Sequence, residues 1–336
     1  MHSIFIDTGT TNSRIRLLDE SNGSIQDTWK LAVGVKNSAV EGSNQTLKKK
    51  LAETIKQLLE ENRLQPDDIS YIAASGMITS GLGLHEVNHV EAPASLADFA
   101  SKSEIVREKE FYSIPTVYIT GMKNRVNDDR LGGPLSINPY DVMRGEEVET
   151  FGLLHQIKPE GNGLMILPGS HTKYVLVDDH NTIRSCMSTL GGELLEAVSK
   201  QTILSSSLEN RLIENVDAEK LEQGFQAASS YGLTRSLYHV RLLDLFTGWS
   251  SNQRANYLAG AVLHEDVQAL HAVDQEDFEL DWVIVGGSNP LRTAFYQLLT
   301  AHFSSWNVIE ATDEQVDHSP VAGAREIGSI KFSLSD

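Results

Sequence analysis

A single cysteine, Cys186, leaves this 336-residue chain without any internal disulfide, which fits a reducing compartment. Its nine prolines are scattered, and no Gly/Ser-rich, Pro-rich or single-charge tract marks a linker or a disordered tail. No apolar run approaches the ~18 residues that a membrane span requires. The first residues carry no basic n-region, and Asp7 interrupts the apolar stretch Ser3–Ile6, which argues against a secretory leader. The expectation is a cytoplasmic protein. Two nucleotide-binding signatures are also missing: there is no GxxxxGK(S/T) P-loop, and no GxGxxG follows the first apolar stretch. Positive charge is scarce, with 28 Lys+Arg against 46 Asp+Glu and a net charge of -18 at pH 7. A field of that sign disfavours nucleic acid and acidic membrane surfaces as partners. It also repels small anionic substrates, so any such site must bring its own cations. Lys123 to Arg144 supplies candidates.

What remains is an ordinary globular composition, 40% hydrophobic and 22% charged, at a length that suits two domains of roughly 150 residues. The N-terminal segment reads as a strand meander. Ser3–Asp7 is apolar, and Ser13–Leu18 alternates Ile15 and Leu17 against Arg14 and Arg16. Asn22-Gly23 then signals a hairpin, with Ser24–Leu31 returning as a third strand. Between the first two strands lies the small, hydroxyl-rich loop Thr8-Gly9-Thr10-Thr11-Asn12.

The same grammar recurs later. Gly163–Leu167 is apolar, Pro168-Gly169-Ser170-His171-Thr172 is a small polar loop, and Lys173–Val177 is a second strand, followed by a turn and a third strand from Thr182. Setting Gly9 against Gly169 pairs Ile15 with Val175 and Leu17 with Val177. Two readings fit: an internal duplication that yields two related domains, or two unrelated hairpins.

Helices account for much of the rest. Leu47, Leu51, Ile55, Leu58 and Leu59 form an apolar stripe at helical spacing. Another helix follows Gly191-Gly192, with Leu194, Leu195 and Val198. Tyr257–Leu270 is a third, rich in Ala and Gly and suited to close packing. A last one starts with Asn289 as cap and Pro290 at the first helical position. The strand Trp282–Val285 runs into Gly286-Gly287-Ser288, which places bare backbone N–H groups where a nucleotide can lie close.

Three motifs bear on chemistry. Asp7, at a strand exit, can hold Mg²⁺ directly or through water, or can simply initiate a turn. His85-Glu86-Val87-Asn88-His89 matches the HExxH zinc signature, but it follows Gly81 and Gly83 and runs into Pro93. That is poor helix context, and a polar loop or strand edge is the preferred reading. Gly145-Glu146-Glu147 opens an apolar-periodic stretch. Its acids either gain from the helix dipole alone or, at a cleft, accept a substrate hydroxyl proton.

Together these stretches resemble a known family. Ile6–Arg14 is similar to the first phosphate loop of the actin, Hsp70 and sugar-kinase superfamily. Leu167–Lys173 is similar to its second phosphate loop, and Val285–Asn289 to its adenosine motif. Ser75-Gly76-Met77, Val90-Glu91-Ala92-Pro93, Asp141–Glu147 and Leu167–Lys173 closely resemble the 2-dehydro-3-deoxygalactonokinase family. The resemblance covers nearly the whole chain in the correct order, and it favours the duplication.

The resemblance implies an α/β fold of two ribonuclease-H-like (actin-like ATPase) domains with an interdomain cleft. Residues 1–155 would hold the first phosphate loop and the sugar-acid site. Residues 156–336 would hold the second loop and the adenosine motif. It further implies ATP- and Mg²⁺-dependent phosphorylation of the C6 hydroxyl of 2-dehydro-3-deoxy-D-galactonate. By position, Asp7 is the metal-linked carboxylate. Gly9, Thr10, Thr11 and Asn12 clamp phosphate, as do Gly169, Ser170, His171 and Thr172. Gly286, Gly287 and Ser288 lie against adenosine. Glu146 is the base, with Glu147 as the alternate. Gly76, Met77 and Glu91 face the substrate, and Arg144 is the first choice for its carboxylate, with Arg125 and Arg130 next. Thr8 stands where the family has an aromatic residue, and wider sugar kinases carry Asp at the base position. The competing readings are a kinase for another keto-deoxy sugar acid, an ATPase or phosphohydrolase of this fold with no sugar acceptor, and a nucleotide-binding scaffold.

Overall fold

The strand meander expected at the N-terminus builds the first sheet. The computed structural model describes residues 1–125, 136–270 and 278–334. Two units organise the chain: Met1–Lys158 with Asn181–Ser185 and Asp317–Asp336, and Pro159–His180 with Cys186–Val316. No local sequence pattern announces the later returns to the first unit. Among the described residues no helix is long and apolar enough to cross a membrane.

The first unit contains β1 (His2–Thr8), β2 (Ser13–Asp19), β3 (Ser24–Leu31), β4 (Ile69–Gly76), β5 (Val90–Glu91), β6 (Glu104–Arg107), β7 (Pro115–Tyr118), β8 (Met122–Lys123) and β9 (Val142–Met143). Its helices are α1 (Val35–Glu41), α2 (Gln45–Glu61), α3 (Leu96–Lys102) and α4 (Glu146–Ile157). The main sheet has the order β3-β2-β1-β4-β7-β6, and a small sheet pairs β5-β8-β9. Leu47, Leu51, Ile55, Leu58 and Leu59 of α2 are all buried against Ile4, Ile6, Ile15 and Leu17, as their helical spacing requires.

Arg16 departs from the outward alternation read for β2. It is 2% exposed and ion-pairs with Asp317 at 2.9 Å. The face of the sheet that local pattern would leave to solvent is covered here by a segment 301 residues away. On that face Phe5 meets Tyr71 edge-on, and Tyr71 contacts Phe332. The HExxH stretch is not helical: His85 pairs with Glu104 at 2.7 Å, while His89 faces the Arg144 guanidinium. With the two rings engaged apart, the zinc geometry of a shared helical face does not form.

The second unit contains β10 (Gly163–Leu167), β11 (Thr172–Val177), β12 (Ile183–Thr189) from Cys186 onward, β13 (Trp282–Val285) and β14 (Val308–Glu310), in the sheet order β12-β11-β10-β13-β14. Its helices are α5 (Gly191–Gln201), α6 (Ala218–Tyr231), α7 (Leu233–Phe246), α8 (Ser251–Ala269) and α9 (Leu291–His302), and α10 (Asp313–Ser333) then carries the chain back to the first unit. α8 begins six residues before the expected Tyr257, because Ser250 caps it by accepting the Gln253 N–H at 3.3 Å. α9 starts at Leu291, one residue after Pro290, and Asn289 Oδ1 accepts the Thr293 N–H at 3.3 Å.

The order β3-β2-β1-β4-β7 repeats as β12-β11-β10-β13-β14. In both sheets an antiparallel hairpin is joined in parallel by a later strand. Two unrelated hairpins would have no reason to share that order.

Candidate active site

In the first unit the β1–β2 register places Asp7 opposite Arg14 and Thr8 opposite Ser13, closing the loop with a Gly9 N–H to Asn12 carbonyl bond of 2.9 Å. Gly9, Thr10, Thr11 and Asn12 are all exposed, so this loop can take a ligand. Thr8 is buried, with its hydroxyl 3.1 Å from that of Ser13, which in turn lies 2.8 Å from the Val33 carbonyl. At this position a hydroxyl network takes the place of an aromatic ring. The Lys36 N–H donates to the Thr10 carbonyl at 2.9 Å and braces the loop from α1.

Asp7 lies beside the exit of β4. A Cβ built on Gly76 would stand 3.1 Å from Asp7 Oδ1 and 2.6 Å from the Thr8 carbonyl oxygen. Gly76 in turn meets the turn before α4, since a Cβ on Gly145 would lie 3.3 Å from the Gly76 Cα. Asp7, Gly76 and the GEE start of α4 thus form one cluster from three distant segments. Burial pushes the Asp7 carboxyl above its ordinary range; Arg14 and Arg16 oppose this and Glu146 adds to it. Glu149, one turn into α4, rises to about 8 through burial and its acidic neighbours Asp7, Glu146 and Glu147.

The two candidate bases separate cleanly. Glu147 is fully buried and folds back so that both its oxygens accept the Gly145 N–H at 2.8 Å. Burial first, then the Glu146 charge, lifts it to about 8. Glu146 is half-buried, and its Oε2 accepts the Arg144 N–H at 3.1 Å, which orients the side chain.

Arg144, the expected carboxylate fork, is already occupied. Its Nη1 donates to the Thr79 carbonyl at 2.6 Å, and its Nη2 to the Val87 carbonyl at 2.9 Å and His89 Nε2 at 3.1 Å. Releasing it would strand buried carbonyls, at roughly 1–3 kcal/mol each. Met77 is half-buried in the turn after β4, Glu91 is exposed and pairs with Lys123 at 3.0 Å, and Arg125 is exposed. Arg130 lies outside the described residues.

The second unit repeats the construction. Gly169, Ser170 and His171 are exposed, His171 lying 3.4 Å from Glu193. Thr172 is buried and donates to Asp266 Oδ2 at 3.3 Å. The Glu193 N–H donates to the Ser170 carbonyl at 2.9 Å, matching the α1 brace of the first loop. Gly286 N–H donates to the Ile166 carbonyl at 2.8 Å, and a Cβ on Gly287 would stand 2.5 Å from the Pro168 carbonyl oxygen. The side chain of Ser288 is exposed beyond them. Arg292, buried in α9, donates to the Gly287 carbonyl at 3.2 Å and holds that turn.

Sequence reasoning missed Asp266, a 4% exposed carboxylate inside α8, raised to about 6 chiefly by burial. Only an unmatched acid in an Ala/Gly-rich stripe hinted at it. It also read Gly191 as a mere helix boundary, whereas a Cβ there would lie 2.2 Å from Asp266 Oδ2.

Among the described residues no group of three or more acids, histidines or cysteines has the geometry of a metal cage. The mutually raised carboxyls around Asp7 nonetheless suit a hard cation held by one or two carboxylates, with waters and phosphate completing its shell.

Solved structures share this architecture. A candidate 2-dehydro-3-deoxygalactonokinase from Sinorhizobium meliloti superposes with a TM-score of 0.73 at 22% identity, covering 97% of this chain and 99% of the other. Component A of the (R)-2-hydroxyglutaryl-CoA dehydratase of Acidaminococcus fermentans matches with a TM-score of 0.50 at 11% identity, over 98% and 99% of the two chains. The fold is that of the actin-like ATPases, with a hairpin loop at the head of the sheet in each half. The chain belongs to the 2-keto-3-deoxy-galactonokinase family, which it matches over residues 7–318. A protein of Rhizobium meliloti (strain 1021), named as a probable 2-dehydro-3-deoxygalactonokinase, is 25% identical over 335 residues, 96% of each chain. The chain is therefore a sugar-acid kinase, a phosphotransferase that uses ATP.

Proposed function

We propose that the protein transfers the γ-phosphoryl group of ATP to the C6 hydroxyl of 2-dehydro-3-deoxy-D-galactonate in the cytoplasm, with Glu146 as the general base. The observation that carries the residue assignment is the contrast at the start of α4. Glu147 is spent on the Gly145 N–H, whereas Glu146 keeps a half-buried carboxylate next to Asp7. Glu146 takes the hydroxyl proton as the substrate oxygen bonds to the γ-phosphorus and ADP leaves with the bond it breaks.

Residues 1–155 supply the first phosphate loop and the acceptor site, and residues 156–336 supply the second loop and the adenosine contacts. Thr10, Thr11 and Asn12, with the Gly9 backbone, hold phosphate oxygens, as do Gly169, Ser170 and His171. Thr172 anchors the second loop from beneath. The backbone of Gly286–Ser288 lies against adenosine. Mg²⁺, held by Asp7 directly or through water, would neutralise the charge of the phosphates. The protein's share of catalysis is positioning and electrostatic stabilisation.

The test is ADP release from Mg-ATP with 2-dehydro-3-deoxygalactonate, with its gluconate epimer and without an acceptor. Turnover with the galactonate compound alone is expected. Equal turnover without an acceptor would replace the kinase by an ATPase, and equal turnover with the epimer would widen the substrate.

A further inference from the structure

A cavity of 520 Å³ opens on the small sheet of the first unit, walled by Asn88, His89, Val90, Glu91, Lys102 and Lys123. Its volume lies in the range of small-molecule sites. Its charge runs against that of the chain as a whole: two lysines face one carboxylate, Glu91, in a protein of net charge -18. The charges of Lys123, Arg125 and Lys102 all bear on Glu91 and lower its carboxyl. His89 adds no charge, because burial, Arg144 and Lys123 hold its imidazole down at about 4. Arg144 Nη2 lies 3.1 Å from Nε2 and 3.5 Å from Nδ1, so the guanidinium holds the neutral ring by its edge.

We propose that this cavity receives the sugar acid, and that Lys123 binds its carboxylate by exchanging Glu91 for it. The assignment rests on the kinase reading above. Lys123 already holds a carboxylate at 3.0 Å, so the geometry for one exists. Glu91 is 54% exposed at its side chain and can turn to solvent, because a solvent-screened surface pair of this type is weak. Arg144 has no such freedom, since Thr79, Val87 and His89 occupy it. It contacts His89, a lining residue, and holds that ring in place.

Register supplies the reach. Lys123 pairs with Val142 across β8 and β9, four positions before Glu146. Four extended residues span about 13 Å, and the turn at Arg144-Gly145 shortens that. A six-carbon chain covers roughly 6 Å from first to last carbon, and the lysine side chain bridges much of the remainder. A six-carbon acid held at Lys123 thus has a length of the order needed to approach Glu146.

The experiment is steady-state kinetics of the full chain with sugar acid and ATP varied separately, on Lys123→Met, Lys123→Arg and Glu91→Gln. Lys123→Met should raise the sugar-acid KM by about 10- to 100-fold with the ATP KM unchanged, and Lys123→Arg should recover most of the loss. Glu91→Gln should lower the sugar-acid KM a few-fold, because it removes the internal competitor. A merely structural ion pair would move Lys123→Met and Glu91→Gln in the same direction, and that result overturns the proposal even if Lys123→Met folds poorly. Wild-type turnover with an unchanged KM in Lys123→Met discards Lys123 while the kinase stands. A wild type that ignores every sugar acid discards the kinase reading and this site with it.

Discussion

Gly76 and Gly287 occupy the same place in the two halves of the chain. Gly76 ends, and Gly287 follows, a strand that runs parallel to the first strand of a hairpin, and each has positive φ, +78° and +70°. A Cβ on Gly76 would stand 2.6 Å from the Thr8 carbonyl oxygen, and one on Gly287 2.5 Å from that of Pro168. Thr8 and Pro168 are the residues just before Gly9 and Gly169, the pair that aligns the two hairpins. Both halves therefore demand the same bare backbone crossing beneath the loop.

Alanine at either glycine combines backbone strain of ~1–3 kcal/mol with an overpacking cost of ~1–3 kcal/mol. Denaturant unfolding should show a loss of roughly 2–5 kcal/mol for Gly76→Ala and for Gly287→Ala. Gly287→Ala should in addition weaken ATP binding, and Gly76→Ala should depress kcat. Wild-type stability in either variant would remove the steric argument.

Glu146→Gln and Glu147→Gln should behave differently although the residues are adjacent. Glu146→Gln should cut kcat by about 10²–10⁴ while ATP still binds, the usual loss of a general base. Glu147→Gln keeps an acceptor for the Gly145 N–H and should stay within about tenfold of wild-type kcat. Reversed effects in single-turnover kinetics would exchange the two roles.

Asp266 makes stability depend on pH with a definite sign. Its carboxyl is raised from 3.8 to about 6, so between these values the folded state binds the proton more tightly than the unfolded chain does. Stability from this group is fully present below about pH 4 and is lost as pH rises through about 6, roughly 3 kcal/mol in all. Asp266→Asn should erase that slope, leaving the variant more stable than wild type at pH 8 and similar at pH 4. Urea midpoints at the two pH values decide the matter, and parallel profiles would contradict the assignment.

Asp7→Asn removes a carboxylate that burial and Glu146 make costly in the free protein. The variant should unfold at equal or higher denaturant than wild type when no metal is present. Its ADP release should fall by about 10² or more and lose its response to Mg²⁺ titration, as expected for a carboxylate that holds the metal. Retained Mg²⁺ dependence would move the metal to another carboxylate.

Much of this was legible locally. The third strand, Ser24–Leu31, has the bounds that Asn22-Gly23 and residue alternation predicted, and the α2 stripe is buried at each of its five named positions. Gly145 does stand at the start of a helix that opens with Glu146 and Glu147. The exceptions share one cause. Arg16 looked solvent-facing until Asp317 covered it, and Arg144 looked like a free fork until Thr79, Val87 and His89 took its donors. Asp266 was one acid among 46 Asp and Glu until Thr172 and Gly191 came to rest on it.

Sequence alone determined the elements that depend on neighbours along the chain: the two hairpins, their small hydroxyl loops, the glycine turns and the apolar helix faces. Turn dihedrals, caps and periodicity are local properties, so a string of residues carries them. Which of two adjacent glutamates folds back onto the Gly145 N–H was decided only in three dimensions. So were the partners of Arg144, held by two carbonyls and His89, and of Lys123, paired with the exposed Glu91. These outcomes depend on desolvation and on hydrogen-bond partners tens to hundreds of residues away, where no spacing rule reaches.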